Sequence, residues 1–555
     1  MDSGLLGSRG FQSPTLWSAS NGPGFYVAIV AFLALLIPTA FLFFDPFPQN
    51  MESDVGHLLD RAIDFKNWLS SGDQKFMSTP LGGYPPYLDG VSTLYGLTSF
   101  ATDLFWNADL DPGQRMILHF RLASALVYVV GGICFFFLAR LISTSNAVAL
   151  LLAIVFVLSN EMLDSSFLRM DHFIVAATNV LIFLSLLSAG RNSPMIGAAL
   201  GMTIAILVQT KISSVMLCIA ALPAIVENVR RNNWRMLIAV VAAATLLTAA
   251  LSVRYIYHPR SGASILWQKF ELQALWRTTQ GILPLSYYTW EFPITQYGAP
   301  FVTITLLAIG VVAFASFYDQ GARTIALPLI VLSIFSIFQM KYHRFAMSLL
   351  PFILLSVAVV AREILLSRVA LSRSSKLAVA SILPLMAFPS VLNNAVPQFK
   401  SALGRSDSIQ ITRIQARDWL PSHVRSGSRV GYYLLSDWSL PRILSMDYQF
   451  SFKLFKFPYL DRNGLRAFSP PSYDEIEKNL DVIVLTDCFQ EFYDQMLKKV
   501  GAETRAGEWR EFVRELSSRY QKIEFRAKTP NYCVSEVTYY VVNPSALISK
   551  PEGEG

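Results

Sequence analysis

Charge is scarce in this chain. Of its 555 residues only 15% are Asp, Glu, Lys or Arg, while 53% are hydrophobic. A soluble globular chain carries about 25% charged residues, so a wholly soluble protein is excluded. Cysteine is scarcer still, four in all, and no Cys/His spacing matches a zinc site. No small-residue cleavage site follows the first apolar run. That run is therefore expected to remain as a span and not to leave as a signal peptide. No internal repeat is visible, which weakens a transporter built from two related halves.

What the chain has is apolar residues in blocks of about 17 to 22, the length that crosses a bilayer core as helix. It reads as a polytopic α-helical membrane protein followed by a soluble α/β domain. About eleven spans are expected, near 25–44, 120–140, 145–160, 172–189, 195–212, 213–228, 234–252, 298–317, 323–340, 344–361 and 376–394. With the N-terminus inside, the inner loops hold Arg191, Arg230, Arg231, Arg235, Arg323, Arg362, Arg368, Arg373 and Lys376. That is the bias the positive-inside rule describes. The net charge of +7 is then mostly a topology signal. Membrane lipids are expected partners and nucleic acid is not. If 195–228 were one kinked helix the tail would move inside; the basic stretch 362–376 argues against that.

The layout follows from these spans. Residues 1–24, rich in Gly and Ser, are expected to be a disordered cytoplasmic N-terminus. Residues 25–396 form the transmembrane domain, with a long first outer loop at 45–115 and another at 253–297. Residues 397–545 form an extracytoplasmic α/β domain, and 546–555 a flexible tail. In that domain 408–420 reads as an amphipathic helix and 488–500 as another helix. Residues 429–435, 481–485, 522–525 and 536–542 read as strands. Cys134 and Cys218 fall in spans as core residues. Cys488 and Cys533 share the tail, and an extracytoplasmic tail would allow them a disulfide.

Ionisable groups concentrate on the outer side. Glu52 and Asp54 open the long first loop, with His57 three residues further on. Loops of this length are uncommon without a role, and a carboxylate at the membrane face is placed to act as a general base. The Glu52/Asp54 spacing also suits a divalent cation; a merely solvated acidic loop is the rival reading. Tyr84-Pro85-Pro86-Tyr87 is a rigid turn whose tyrosines could wall a sugar site. Arg169, Asp171 and His172 precede the fourth span, where charge is costly unless paired or used. Lys211 sits at an outer span end, against the charge bias. So do Lys341, His343 and Arg344. Cations there suit an anionic lipid ligand, with interfacial snorkelling as the alternative.

Taken in order, these motifs resemble those of the polytopic GT-C glycosyltransferases, in the protein mannosyltransferase and aminoarabinose transferase-like branch. The matching residues are Asp54 to Ala62, the Tyr84–Tyr87 turn and Arg169-Met170-Asp171. Gly197 and Gly201 follow, in a span ending Thr210-Lys211, and then Arg344-Phe345 with Pro351. The second acidic residue of the family's first motif is Val55 here, which passes its role to Glu52 or removes it. The residue before the Pro-Pro pair, His or Lys in the family, is Tyr84.

The resemblance implies inverting transfer of a sugar from a polyprenyl-phosphate donor to an extracytoplasmic acceptor, which is a lipid, glycan or protein. Asp54 would be the base, and Asp171 or His172 would orient the acceptor or Asp54. Lys211, Arg344 and Arg169 would hold the departing phosphate. His57, Tyr84 and Tyr87 would contact acceptor or sugar. No cofactor is required, though a divalent cation at Glu52/Asp54 fits. The setting implied is a bacterial inner or plasma membrane, with site and tail outside. Two rivals stand: a transporter or flippase for a lipid-linked anion, and a scaffold whose tail binds a partner.

Overall fold

The computed structural model describes residues 22–42, 53–72, 87–105, 112–163, 170–189, 191–210, 212–251, 292–317, 319–336, 347–404, 415–416, 419–433, 451–455, 460–461, 464–465, 472–486, 503–526 and 536–548. They fall into two compact units. One comprises Met1–Phe44, Arg61–Asp103 and Phe120–Ala402; the other comprises Asp45–Asp60, Leu104–His119 and Leu403–Gly555.

The first unit is helical. Its elements begin with α1 (Pro23–Leu42), α2 (Ser53–Ser71), α3 (Tyr87–Phe105), α4 (Pro112–Ser143), α5 (Asn146–Val157) and the short α6 (Asn160–Leu163). Then come α7 (Met170–Ser188), α8 (Pro194–Thr210), a 3-10 segment (Ile212–Ala221), α9 (Leu222–Arg230) and α10 (Trp234–Leu251). The last group is α11 (Phe292–Tyr297), α12 (Ala299–Ala315), α13 (Gln320–Ser336), α14 (Leu350–Leu366), α15 (Arg373–Leu385) and α16 (Phe388–Gly404).

Each of the eleven expected spans contains helix. Among the described residues, three segments are long and apolar enough to cross a membrane: Pro23–Ala40, Leu122–Ser143 and Met347–Leu366. The bent pair Arg373–Leu385 and Phe388–Lys400, at 45°, makes a fourth if it is one span. The other apolar helices run 10–17 residues. Within the expected first loop lie two helices, α2 and α3, of 19 residues each.

Close packing fixes the direction of several helices. A Cβ on Gly197 would stand 2.4 Å from Met236 O, and one on Gly201 2.2 Å from Val240 O. Contact positions rise together along α8 and α10, so these two helices run parallel. The chain between them must therefore cross back, which makes 212–230 a crossing of its own. Ten 3-10 residues and nine α residues rise about 33 Å, close to a ~30 Å bilayer core. Residues 195–228 are thus two antiparallel segments and not a single kinked helix.

Hydrogen bonds tie the helix ends into two sets. At one end Asn228 Nδ2 donates to Ser188 O (2.9 Å) and Ala224 O (2.8 Å), and Asn233 Nδ2 donates to Asn228 Oδ1 (2.8 Å). At that end too, Met236 N donates to Asn192 Oδ1 (3.2 Å). The turn between α12 and α13 joins the end of α14 through the Asp319–Arg362 ion pair. At the far end of α7, His172 Nε2 lies 3.3 Å from Met162 O, and Glu161 N donates to Gln296 Oε1 at 3.2 Å. Gln398 Nε2 reaches Asn160 Oδ1, and Asn394 Nδ2 donates to Thr295 O at 3.0 Å.

The tail domain is a three-layer α/β fold. Its strands are β1 (Arg429–Tyr433), β2 (Ser451–Phe455), β3 (Leu460–Asp461), β4 (Gly464–Leu465), β5 (Val482–Thr486), β6 (Gln521–Arg526) and β7 (Glu536–Val541); its helices include α17 (Tyr473–Asn479) and α18 (Glu503–Arg519). The main sheet has the order β2-β1-β5-β7-β6. β1 pairs in parallel with β2 and β5, while β7 is antiparallel to β5 and β6.

Strand alternation sends Val482, Val484 and Tyr539 to a core with Ala416, Leu420 and Val424. Ile483, Leu485 and Tyr540 go to the opposite core with Ile476, Phe512 and Leu516. Both sheet faces are covered, which is why Val482 to Leu485 of β5 are all apolar. Of the expected helix at 408–420, residues 415–416 and 419–420 are described and helical. The expected helix at 488–500 and both tail cysteines lie outside the described residues.

Candidate functional site

α2 begins at Ser53, so Asp54 occupies its first turn and His57 follows three positions on, along the same helix face. Side chains of α2 are described from Ala62 onward. There the helix is held tightly: a Cβ on Gly96 of α3 would meet Ala62 O and Phe65 Cδ1, each at 2.8 Å. Lys66 pairs with Asp103. Tyr95 Oη shares a 3.0 Å hydrogen bond with Ser124 Oγ, linking α3 to α4. Tyr87 opens α3. Glu52, Tyr84, Pro85 and Pro86 lie outside the described residues. Asp54 and His57 fall in the second unit.

The remaining expected site residues sit at helix ends of the first unit. Asp171 and His172 occupy the first turn of α7. His172 is 2% exposed, and its contact with Met162 O pins α7 to the segment after α5. Arg169 precedes the described start of that helix. Thr210 and Ile212 bracket Lys211, and Thr210 Oγ1 donates to Ile206 O at 2.6 Å. α13 ends at Ser336 and the next described turn begins at Met347, bracketing the segment that holds Arg344. Pro351 stands in the first turn of α14, where its missing N–H costs nothing. Lys211 and Arg344 are themselves outside the described residues.

Helix direction sorts these positions. α7 carries Asp171 at one end and Ser188 at the other, about 26 Å away by rise. α8 is stitched to the Ser188 end through its start and finishes at Thr210, the opposite end. Asp171, His172 and Thr210 therefore lie at the end away from Arg191, Arg230 and Arg231.

The structure adds polar groups that periodicity did not single out. Glu161 and Gln296 are 5% and 1% exposed and bond across 135 residues of sequence. Asn160 with Gln398 and Thr295 with Asn394 extend the contact to α16. A lone Glu at the end of an apolar run was visible; its distant amide partner was not. Among the described residues, no group of three or more His, Cys, Asp or Glu is placed to hold a metal ion.

The helices and the α/β tail define a class of architecture, a largely helical chain with apolar helices long enough to cross a membrane. The particular likeness is to the crystal structure of ArnT from Cupriavidus metallidurans bound to undecaprenyl phosphate. The TM-score is 0.56 at 12% identity, covering 94% of this chain and 99% of that one. Such identity speaks to fold alone. No family model matches the sequence, and no curated protein matches it.

Proposed function

We propose that this protein is an integral membrane glycosyltransferase that moves a sugar from a polyprenyl-phosphate donor to an acceptor hydroxyl outside the cytoplasm. The observation that carries the reading is end-to-end likeness to a fold solved with undecaprenyl phosphate bound. The same chain holds ordered acidic and basic motifs that fit such a donor. Positive-inside bias makes the end with Arg191, Arg230, Arg231 and Arg235 cytoplasmic. The end with Asp171, His172 and Thr210 then faces outward.

The chemistry is a single displacement. The acceptor oxygen attacks the anomeric carbon from the face opposite the phosphate, and the bond from that carbon to the phosphate oxygen breaks. Asp54 takes the hydroxyl proton. Lys211 and Arg344, with Arg169, stabilise charge growing on the polyprenyl phosphate. Cations beside Asp54 would depress its pKa and weaken it as a base, so they belong against the phosphate. Asp171 or His172 orients the acceptor, and His57, Tyr84 and Tyr87 contact sugar or acceptor. Glu52 with Asp54 would hold a divalent cation if one takes part; the displacement does not require it.

The test is stereochemical. Purified protein in nanodiscs is given polyprenyl-phosphate sugars of defined anomeric configuration with an envelope extract as acceptor. Transferred sugar should carry the inverted configuration by NMR coupling constants. Retained configuration, or donor translocation without transfer, overturns the proposal.

A further inference from the structure

Four arginines gather at one end of the α8, α9 and α10 group. Asn228 holds Ser188 and Asn233, and Asn192 holds Met236. These bonds draw the turns at 191–193 and 231–233 together and place Arg191, Arg230, Arg231 and Arg235 on a shared rim. Asn228 is fully buried, and the glycine contacts of α8 lock it to α10. The rim is thus a fixed surface.

Its charge is poorly neutralised. Arg231 pairs with Glu227 at 2.6 Å. Among the described residues, no ion pair or side-chain hydrogen bond engages Arg191, Arg230 or Arg235. Positive-inside bias explains basic residues at this end, but it does not require a stitched cluster.

Below the rim runs an apolar face. Trp234, Ile238, Val241 and Leu246 of α10 are 56%, 65%, 65% and 71% exposed. With Arg235 at its head, this is one helical stripe, the spacing of a surface facing lipid. Trp234 at the head suits a headgroup boundary. The N-terminal dipole of α10 adds attraction for an anion.

We propose that this surface binds the headgroup of an anionic phospholipid, with an acyl chain lying along the exposed stripe of α10. The phosphate would meet Arg230 and Arg235, which offer paired donors. The surface lies at the end of α7 opposite His172, away from the residues proposed for sugar transfer.

The test uses the full chain, delipidated in detergent and titrated with cardiolipin, phosphatidylglycerol and phosphatidylcholine. Native mass spectrometry counts retained lipid. The two anionic lipids should bind and phosphatidylcholine should not. Arg230→Gln with Arg235→Gln should weaken anionic binding about 25-fold, at roughly fivefold per arginine near the surface. Arg368→Gln with Arg373→Gln removes equal charge from another exposed turn and should change it less than about twofold. Raising salt to about 1 M on wild type should release the lipid, a result independent of how the variants fold. Equal retention of phosphatidylcholine, equal loss in the control pair, or indifference to salt would each overturn the site.

Discussion

Replacing Gly201 by alanine puts a methyl group 2.2 Å from the Val240 carbonyl oxygen, where ordinary contact begins at 3.4 Å. The shortfall is about 1.2 Å, and the opposing atom is main chain, so no rotamer change relieves it. α8 and α10 must part, losing packing along both helices. Overpacking of this kind costs about 3 kcal/mol, the upper part of its usual range. Gly310 of α12 supplies an internal control, because a Cβ there meets nothing within 4 Å. Gly310→Ala should be neutral or stabilise by up to about 1 kcal/mol, since alanine favours helix.

The assay is thermal unfolding of purified protein in one detergent, followed by tryptophan fluorescence. Gly201→Ala should unfold several degrees below wild type and Gly310→Ala at or above it. Because α8 leads into Thr210 and Lys211, Gly201→Ala should also lower turnover more than Gly310→Ala does. Coincident unfolding of both variants with wild type would refute the parallel packing of α8 and α10, and with it the separate crossing at 212–230.

Other consequences follow from charged contacts. Asp481 is buried at the head of β5, accepting from Arg429 N (2.8 Å), Arg429 Nη2 (3.1 Å) and Asn543 Nδ2 (3.0 Å). The Arg429 hydrogen bonds pull its carboxyl down to about 2. A depressed folded-state value adds stability that is present above the unfolded pKa of about 3.9. That stability is lost as pH falls through about 2. Asp481→Asn should therefore lower hydrogen-exchange protection of β1 and β5 about tenfold at neutral pH and abolish its acid-dependent part; unchanged protection would remove the pair from the tail's stability.

Arg362 and Asp319, 8% and 9% exposed, form a pair whose rupture by Arg362→Met should cost about 3–5 kcal/mol in unfolding assays. Asp319→Asn should cost less than Asp319→Ala, because the amide oxygen still caps α13 at Gly321 N, now 2.7 Å from Oδ1. Asn228→Ala frees buried partners at Ser188 and Asn233 and should cost about 2 kcal/mol. Equal melting of Asn228→Ala and wild type would contradict its place in the stitched turns.

Apolar runs marked eleven stretches that contain helix among the described residues, because burial in lipid or core demands apolar length, although only three of the helices, or four with the bent pair, are long and apolar enough to cross a membrane. The four-residue apolar stretch Val482–Leu485 of β5 and the aromatic, β-branched run of β7 were legible for the same reason. The two helices of the first loop were not. α2 mixes Asp, His, Lys and Asn with its apolar positions, which reads as a solvated loop until Ala62 and Phe65 are seen against Gly96. α18 is similar: of its 17 residues, Phe512 and Leu516 supply the buried anchors. The break after Leu385 that bends α15 against α16 also gave no signal, since Pro384 and Pro389 lie inside an apolar run.

Site residues divide the same way. The acidic and basic motifs could be found in order from the chain, and the turns near His172 and Thr210 share a helix end. The amide contacts joining Glu161 to Gln296 and Asn160 to Gln398 span more than a hundred residues. No local pattern encodes such pairings.

One measurement bears most directly on the central claim: release of polyprenyl phosphate from a panel of polyprenyl-phosphate sugars by wild type and Asp54→Asn in nanodiscs with envelope acceptor. The account predicts release by wild type and a loss of at least about a hundredfold in the variant, the scale of a general base. Equal release by both proteins would remove Asp54 from the chemistry, and bound donor without release by wild type would contradict glycosyl transfer itself.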